Sequence, residues 1–122
     1  LVGRDSRQAP LEGGSEHVGY IYDNSTGARL ASTGVFDDSA CLSGSWVRAA
    51  LSKPLAVSPS TVYVVAVDNV LYYPSTWRFF TCSARTSGSL TGLLHGSVIG
   101  PVGSIPRDNY RDKNYFVDIE IA

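Results

Sequence analysis

The feature that most constrains this chain is residues 57–67, which read V-S-P-S-T-V-Y-V-V-A-V. Pro59 presets a turn dihedral between two serines, and the residues that follow are largely β-branched or aromatic, the types that suit a half-buried strand. Residues 61–67 are apolar on both faces of such a strand. The pattern therefore predicts a turn followed by a central strand that is covered on both sides.

Four further segments alternate with the two-residue period of a strand. They are residues 17–23, 28–36, 46–51 and 114–121. Shorter strands are predicted within residues 1–8, at a sheet edge, and near residues 90–94 and 97–99. In the first segment Val18, Tyr20 and Tyr22 share one face. The side chains predicted to face inward are Leu30, Val35 and Phe36 in the second segment, and Tyr115, Val117, Ile119 and Ile121 in the last.

This spacing of strands predicts the fold class. About seven or more short strands, at spacings near ten residues, indicate an all-β fold, and no segment of the chain has a helical pattern. We expect a two-sheet antiparallel β-sandwich similar to immunoglobulin and fibronectin type III domains. With 122 residues the chain can bury one core, so residues 1–122 are predicted to form a single domain. Because it starts at Leu1 and contains no methionine, we expect one module of a longer chain.

The composition excludes several classes of protein. A hydrophobic content of 43% and a charged content of 17% exclude a disordered chain of low hydropathy and high charge. Ten basic and eleven acidic residues give a net charge of -1, which offers no basic face for nucleic acid. No apolar run approaches the roughly 18 residues that would span a bilayer, so we expect no membrane insertion of this segment.

Two features of the sequence concern secretion. Cys41 and Cys82 lie among serine, glycine and threonine residues. A disulfide between them would close a loop of about 40 residues, stabilise the fold by about 3–4 kcal/mol and imply an oxidising compartment. Two unrelated free thiols are the alternative. The triplet that begins at Asn24, in a predicted turn at residues 24–27, is an N-glycosylation acceptor sequence.

Residues for catalysis are scarce. His17 opens a predicted strand and His95 lies in a loop, and no G-x-S-x-G motif supports a serine paired with His95. We therefore expect no enzymatic activity and interpret both histidines as exposed or capping residues. Loop carboxylates could ligate calcium, with Asp37, Asp38 and Asp108 as candidates, and no other cofactor is expected. Solvated acids at turns and sheet edges are the alternative.

The richest constellation is residues 71–80, L-Y-Y-P-S-T-W-R-F-F. Aromatic faces exposed on a rigid sandwich stack on sugar rings, and an arginine can fix sugar hydroxyls. The alternative is that these aromatic rings fill the core of the sandwich. The candidate glycan-binding residues are Tyr72, Tyr73, Trp77 and Arg78.

The order of these segments resembles the family of extracellular modules called domain of unknown function 4082. The resemblance extends from His17 to near the end of the chain and implies an immunoglobulin-like sandwich appended to larger secreted or surface proteins that handle or bind glycans. The polar first strand and the cysteine pair depart from the family pattern. The motifs that carry the resemblance are Leu30-Ala31-Ser32, Ser45-Trp46, residues 54–57, residues 61–64 and residues 114–118.

Together these features predict a non-catalytic structural or adhesion module, extracellular or at the cell surface. Its expected partners are neighbouring domains or copies of the same protein. A carbohydrate-binding module that uses residues 72–78 is the alternative, and a fragment of an enzyme is a third possibility.

Overall fold

A computed structural model of the chain describes residues 2–3, 16–37, 46–68, 83–109, 112, 117 and 119–121. These residues contain nine strands and no helix, and every strand pairing is antiparallel, so the predicted all-β class is confirmed. The strands are β1 (Val2–Gly3), β2 (Glu16–His17), β3 (Gly19–Asp23), β4 (Arg29–Ser32), β5 (Phe36–Asp37), β6 (Trp46–Val47), β7 (Tyr63–Val67), β8 (Arg85–Ser87) and β9 (Leu90–Gly92).

The strands form four sheets within the described residues. The largest has three strands in the order β4-β3-β7, and the two-stranded sheets are β1-β6, β2-β5 and β8-β9. A strand is confirmed at β7, as the Ser-Pro-Ser turn predicts. Among the described strands, however, β3 and not β7 is central, because β3 pairs on both edges and β7 pairs only with β3.

Strand β3 begins where two segments of the chain, at Gly19 and at Thr33, come close together. A Cβ atom at Gly19 would lie 3.3 Å from the Thr33 Cγ2 atom, so a larger residue would push the two segments apart. The Gly19 N–H donates to the Thr33 hydroxyl oxygen at 2.9 Å, and the Thr33 N–H donates to the Gly19 carbonyl at 2.9 Å. Glycine therefore permits the pairing that continues β4 towards β5.

The core is centred on β3. Ile21 is 6% exposed and Tyr22 is 4% exposed. Because successive side chains of a strand point to opposite faces, both faces of β3 are covered. On the face that carries Val18, Tyr20 and Tyr22, Tyr22 is buried and the other two are half-buried, and Ile21 on the opposite face is buried as well.

The predicted inward position of Leu30 is wrong. Ile21 pairs with Ala31 and Tyr22 pairs with Arg29, so Leu30 is the extra residue of a β-bulge. A bulge interrupts the alternation of faces, and the Leu30 side chain is 41% exposed.

Two other predicted inward residues are also exposed. Val35 is 68% exposed because it follows Gly34 in the break between β4 and β5, so residues 28–36 are not one continuous strand. Phe36, in β5, is half-buried as predicted. Ile121 is 51% exposed because it borders an open cleft, whereas Val117 and Ile119 are half-buried. Tyr115 lies outside the described residues.

A set of polar contacts ties β2 to the end of β7. The Val18 N–H donates to the Asp68 carboxylate at 2.5 Å, and the Asp68 N–H donates to the Val18 carbonyl at 3.1 Å. The His17 ring is buried, with its Nδ1 atom 3.0 Å from the Asp68 carbonyl oxygen. That oxygen can only accept, so Nδ1 carries the proton. The ring also packs on Phe36, with centroids 5.7 Å apart.

Residues 46–51 form a shorter strand than their sequence pattern predicts. They contain only β6, whose Val47 is buried, and Leu51 forms an isolated bridge with Thr33. Among the described residues, no helix has the length and hydrophobicity needed to span a bilayer.

We predict that a truncated side chain in the core costs much more stability than a truncated side chain at the bulge. Ile21→Ala should lower the free energy of unfolding by about 2–4 kcal/mol, because it leaves a cavity beneath the central strand. Leu30→Ala, a truncation of similar size on the neighbouring strand, should cost less than about 1 kcal/mol. Urea denaturation of both variants measures the difference, and an equal loss would show that Leu30 belongs to the core.

Candidate functional site

An open cleft lies beside β7 in the described part of the chain. It has a volume of about 1330 Å³, and one wall is β7 with the preceding residues 57–62, while the other is residues 89–104. Most lining side chains are aliphatic or aromatic, and we call the feature the apolar cleft. Small-molecule pockets usually enclose roughly 300–1,000 Å³, so this cleft is larger and more open than a typical ligand pocket.

The cleft concentrates the exposed apolar side chains of the molecule. Of eight large hydrophobic residues that are exposed in the described part of the chain, six line the cleft and two, Leu30 and Val35, do not. Single exposed apolar residues are ordinary on a protein surface, but a contiguous group marks an interaction surface. The six are Val57, Val62, Leu93, Leu94, Val102 and Ile121.

A polar cluster fixes the cleft wall formed by residues 89–104. The Asn109 side-chain amide lies 3.0 Å from the carbonyl oxygens of both His95 and Ser97, and 2.7 Å from the Asp112 carboxylate. The Asp112 N–H donates to the Asn109 side-chain oxygen at 3.2 Å. Because the amide has only two hydrogens for three acceptors, at least one hydrogen is shared. Asn109 therefore connects two loops that are separated in sequence.

His95 is held in place by the same cluster. Its Nδ1 atom lies 2.8 Å from the Asp112 carboxylate, and both residues adopt positive φ angles of 54° and 47°. The His95 side chain is 58% exposed. The buried Ser97 hydroxyl has no hydrogen-bond partner among the described residues, so it does not form a nucleophile–base pair with His95. The cluster thus orients an imidazole at the cleft without supplying a serine nucleophile beside it.

A tight turn between β3 and β4 borders the cleft through Asn24. One Asp23 carboxylate oxygen accepts from the Ser25 hydroxyl at 2.6 Å, the Ser25 N–H at 2.8 Å and the Thr26 N–H at 3.1 Å. Gly27 has a φ of 74°, the left-handed region that glycine tolerates. The Ser25 hydroxyl, followed by the two N–H groups, lowers the pKa of the Asp23 carboxyl below its ordinary 3.8.

Asn24 joins the turn to Arg107 and to Val62 by hydrogen bonds. The Arg107 Nη2 atom donates to the Asn24 carbonyl at 3.2 Å, and the Asn24 N–H donates to the Val62 carbonyl at 3.2 Å. Asn24 and Arg107 both line the cleft. These two hydrogen bonds connect the turn with residues on either side of the cleft.

Tyr20, Tyr22 and Arg29 form a cluster in which a guanidinium lies beside aromatic rings, and the sequence did not predict this contact. The rings of Tyr20 and Tyr22 are 6.0 Å apart, and the Arg29 guanidinium lies 5.4 Å from the Tyr20 centroid. Burial raises the pKa of the Tyr22 hydroxyl, and the positive charge of Arg29 opposes that rise. The Y-I-Y alternation places the two tyrosines on one face of a strand. Arg29 joins them only because β4 pairs with β3, and the sequence pattern does not reveal that pairing.

The predicted glycan-binding residues Tyr72, Tyr73, Trp77 and Arg78 lie outside the described residues, as do Cys41, Cys82 and Asp38. Glycan binding and the disulfide therefore stay predictions. Asp37 lies in β5 opposite Glu16, and Asp108 forms a backbone bridge with Ile99. The described part of the chain contains no group of three His, Cys, Asp or Glu side chains that could hold a metal ion. With Asp38 undescribed, the calcium site also stays a prediction.

Comparison with known proteins gives one match. A family model described as Domain of unknown function (DUF4082) matches residues 9–117. No curated protein and no solved structure matches the chain.

We predict that the Asp23 turn makes stability depend on pH. A carboxyl whose pKa is lowered by folding contributes stability above its unfolded pKa, and this contribution is lost as the pH falls through the folded pKa. At neutral pH, Asp23→Asn should therefore unfold at lower urea concentration than the wild type, and the difference should disappear well below pH 3.8.

Ser25→Ala is the matched control for this experiment. It removes the hydroxyl donor but leaves both backbone donors, so its pH-dependent loss should be smaller than that of Asp23→Asn. Urea midpoints that differ from wild type by the same amount at every pH would contradict the assigned role of the carboxylate.

Proposed function

The chain belongs to the DUF4082 family, and from this premise we propose that it is a non-catalytic, extracellular structural or adhesion module that mediates protein–protein assembly within a larger surface protein. The observation that carries the proposal is the apolar cleft, which gathers six exposed large hydrophobic side chains on one surface. Burying such side chains against a second protein surface is favourable by about 25 cal/mol per Å².

The size of the cleft supports a protein partner over a small molecule. Its volume of about 1330 Å³ exceeds the usual range for small ligands, and its apolar residues reach solvent and do not enclose a cavity. A folded partner can contact both walls at once and exclude water from the space between them.

The charge of the chain is compatible with association between copies. Ten basic and eleven acidic residues leave a net charge of -1, so two copies repel each other little. Two polar side chains that line the cleft are engaged within the fold: Asp68 accepts from Val18, and His95 contacts the Asp112 carboxylate. The six exposed hydrophobic side chains supply the apolar area that a partner could cover.

The scaffold also suits a binding module. One wall is fixed by the five-residue pairing of β3 with β7, and the other by the hydrogen bonds of Asn109. The β7 wall, which is held by strand pairing, loses little conformational entropy when it binds. We propose that the fold is an immunoglobulin- or fibronectin type III-like sandwich, which is supported by the absence of helix and the antiparallel pairing of the strands among the described residues.

Two valines of nearly equal exposure test the proposal. Val102, which lines the cleft, is 66% exposed, and Val35, which does not, is 68% exposed. Because each side chain is largely in solvent, neither Val102→Asp nor Val35→Asp should alter the fold. Sedimentation velocity of unglycosylated protein over a concentration series should show self-association of the wild type, weakened about tenfold or more by Val102→Asp and unchanged by Val35→Asp.

A wild type that stays monomeric across the series would overturn assembly between copies through this cleft. Equal weakening by both variants would show that the contact does not use the cleft. Glycan-array binding by this same monomeric protein would favour the carbohydrate-binding alternative.

A further inference from the structure

The turn between β3 and β4 carries a sequence with its own chemistry. Asn24, Ser25 and Thr26 form an Asn-X-Thr triplet, the acceptor sequence for N-linked glycans. Such triplets often occur by chance, so the structure of the turn decides whether a glycan could be accommodated. Ser25 and Thr26 are exposed, and Asn24 is half-buried at the border of the apolar cleft.

The main chain and the side chain of Asn24 have separate roles. Its N–H donates to the Val62 carbonyl and its carbonyl accepts from Arg107, both at 3.2 Å. The side-chain amide makes no hydrogen bond within the described residues. A substituent on the Nδ2 atom would therefore break no hydrogen bond of the described fold.

The shape of the turn does not depend on the Asn24 side chain. The Asp23 carboxylate binds Ser25 and Thr26, and the Gly27 N–H donates to the Asp23 carbonyl at 2.9 Å. A glycan attached to Asn24 would thus extend from a turn that other residues hold in place. The chain can fold with the modification present.

We propose that Asn24 is an N-glycan acceptor and that its glycan limits association through the apolar cleft. In the transfer, a bond forms between the Nδ2 atom and the anomeric carbon of an oligosaccharide carried on a lipid pyrophosphate. The bond from that carbon to the pyrophosphate breaks, the lipid pyrophosphate leaves, and Nδ2 loses one proton. The donor is a lipid-linked oligosaccharide, and no oxidant or reductant is required.

The effect of the glycan on association follows from the position of Asn24 at the border of the apolar cleft. Asn24 lines the same cleft as Val62 and donates its N–H to the carbonyl of that residue. A glycan is bulky and strongly hydrated, so at the cleft border it would obstruct an approaching apolar surface. This second step rests on the proposed function, whereas the acceptor role of Asn24 does not.

The acceptor role is tested by secreting the chain from a eukaryotic host and measuring its intact mass before and after treatment with peptide N-glycosidase. Wild type should carry the mass of one N-glycan, which the enzyme removes. Asn24→Gln and Thr26→Ala should lack it, and Thr26→Ser, which keeps the hydroxyl at the required position, should retain it. Wild-type protein without a glycan, or a glycan that persists in Asn24→Gln, would overturn the assignment.

The effect on association is tested by sedimentation velocity of the secreted, glycosylated wild type and secreted Asn24→Gln. Asn24→Gln should associate more tightly, by about tenfold or more. Equal association of the two, with Val102→Asp still weakening it, would overturn the limiting role and leave the proposed function intact. Monomeric behaviour of Asn24→Gln would instead contradict the proposed function, while the mass measurement would still decide the acceptor role.

Discussion

The structure depends on the pairing of β3 along both of its edges. Five residues of β3 pair with β7 and three pair with β4, so this short strand connects segments that are far apart in sequence. The same strand carries Ile21 and Tyr22, which are buried on opposite faces. Backbone pairing and apolar burial therefore coincide at one place. The Gly19 contact with Thr33 and the Asp68 contact with Val18 extend this centre at the end where β3 begins.

The apolar cleft follows from how the rest of the chain is attached to that centre. Residues 89–104 are held by hydrogen bonds, from the Asn109 side chain to the carbonyls of His95 and Ser97, and by the backbone bridge between Ile99 and Asp108. Hydrogen bonds fix the positions of these loops without requiring their apolar side chains to pack on β7. Leu94 and Val102 consequently remain exposed along an open surface, which is the property that the proposed role in assembly uses.

The sequence predicts the elements that depend on local pattern. The alternation of tyrosines and the apolar run after Pro59 predict strands at β3 and β7, and composition predicts the all-β class. Leu30 was misplaced because a bulge depends on the register between two strands, and no pattern within one strand reveals that register. The contact of Asn109 with His95 joins residues 14 apart. Only the short spacing between Asn109 and Asp112 was a local signal of that cluster.

Strand β3 forms the most stable part of the described fold, and residues 93–102 form a surface that opens more easily. Amide hydrogen exchange of the intact chain tests this claim most directly, because exchange rates report the free energy of local opening. The account predicts the slowest exchange in β3 and in β7, where the two strands pair, and fast exchange in residues 93–102. Protection of residues 93–102 that equals that of β3, in monomeric protein, would contradict it.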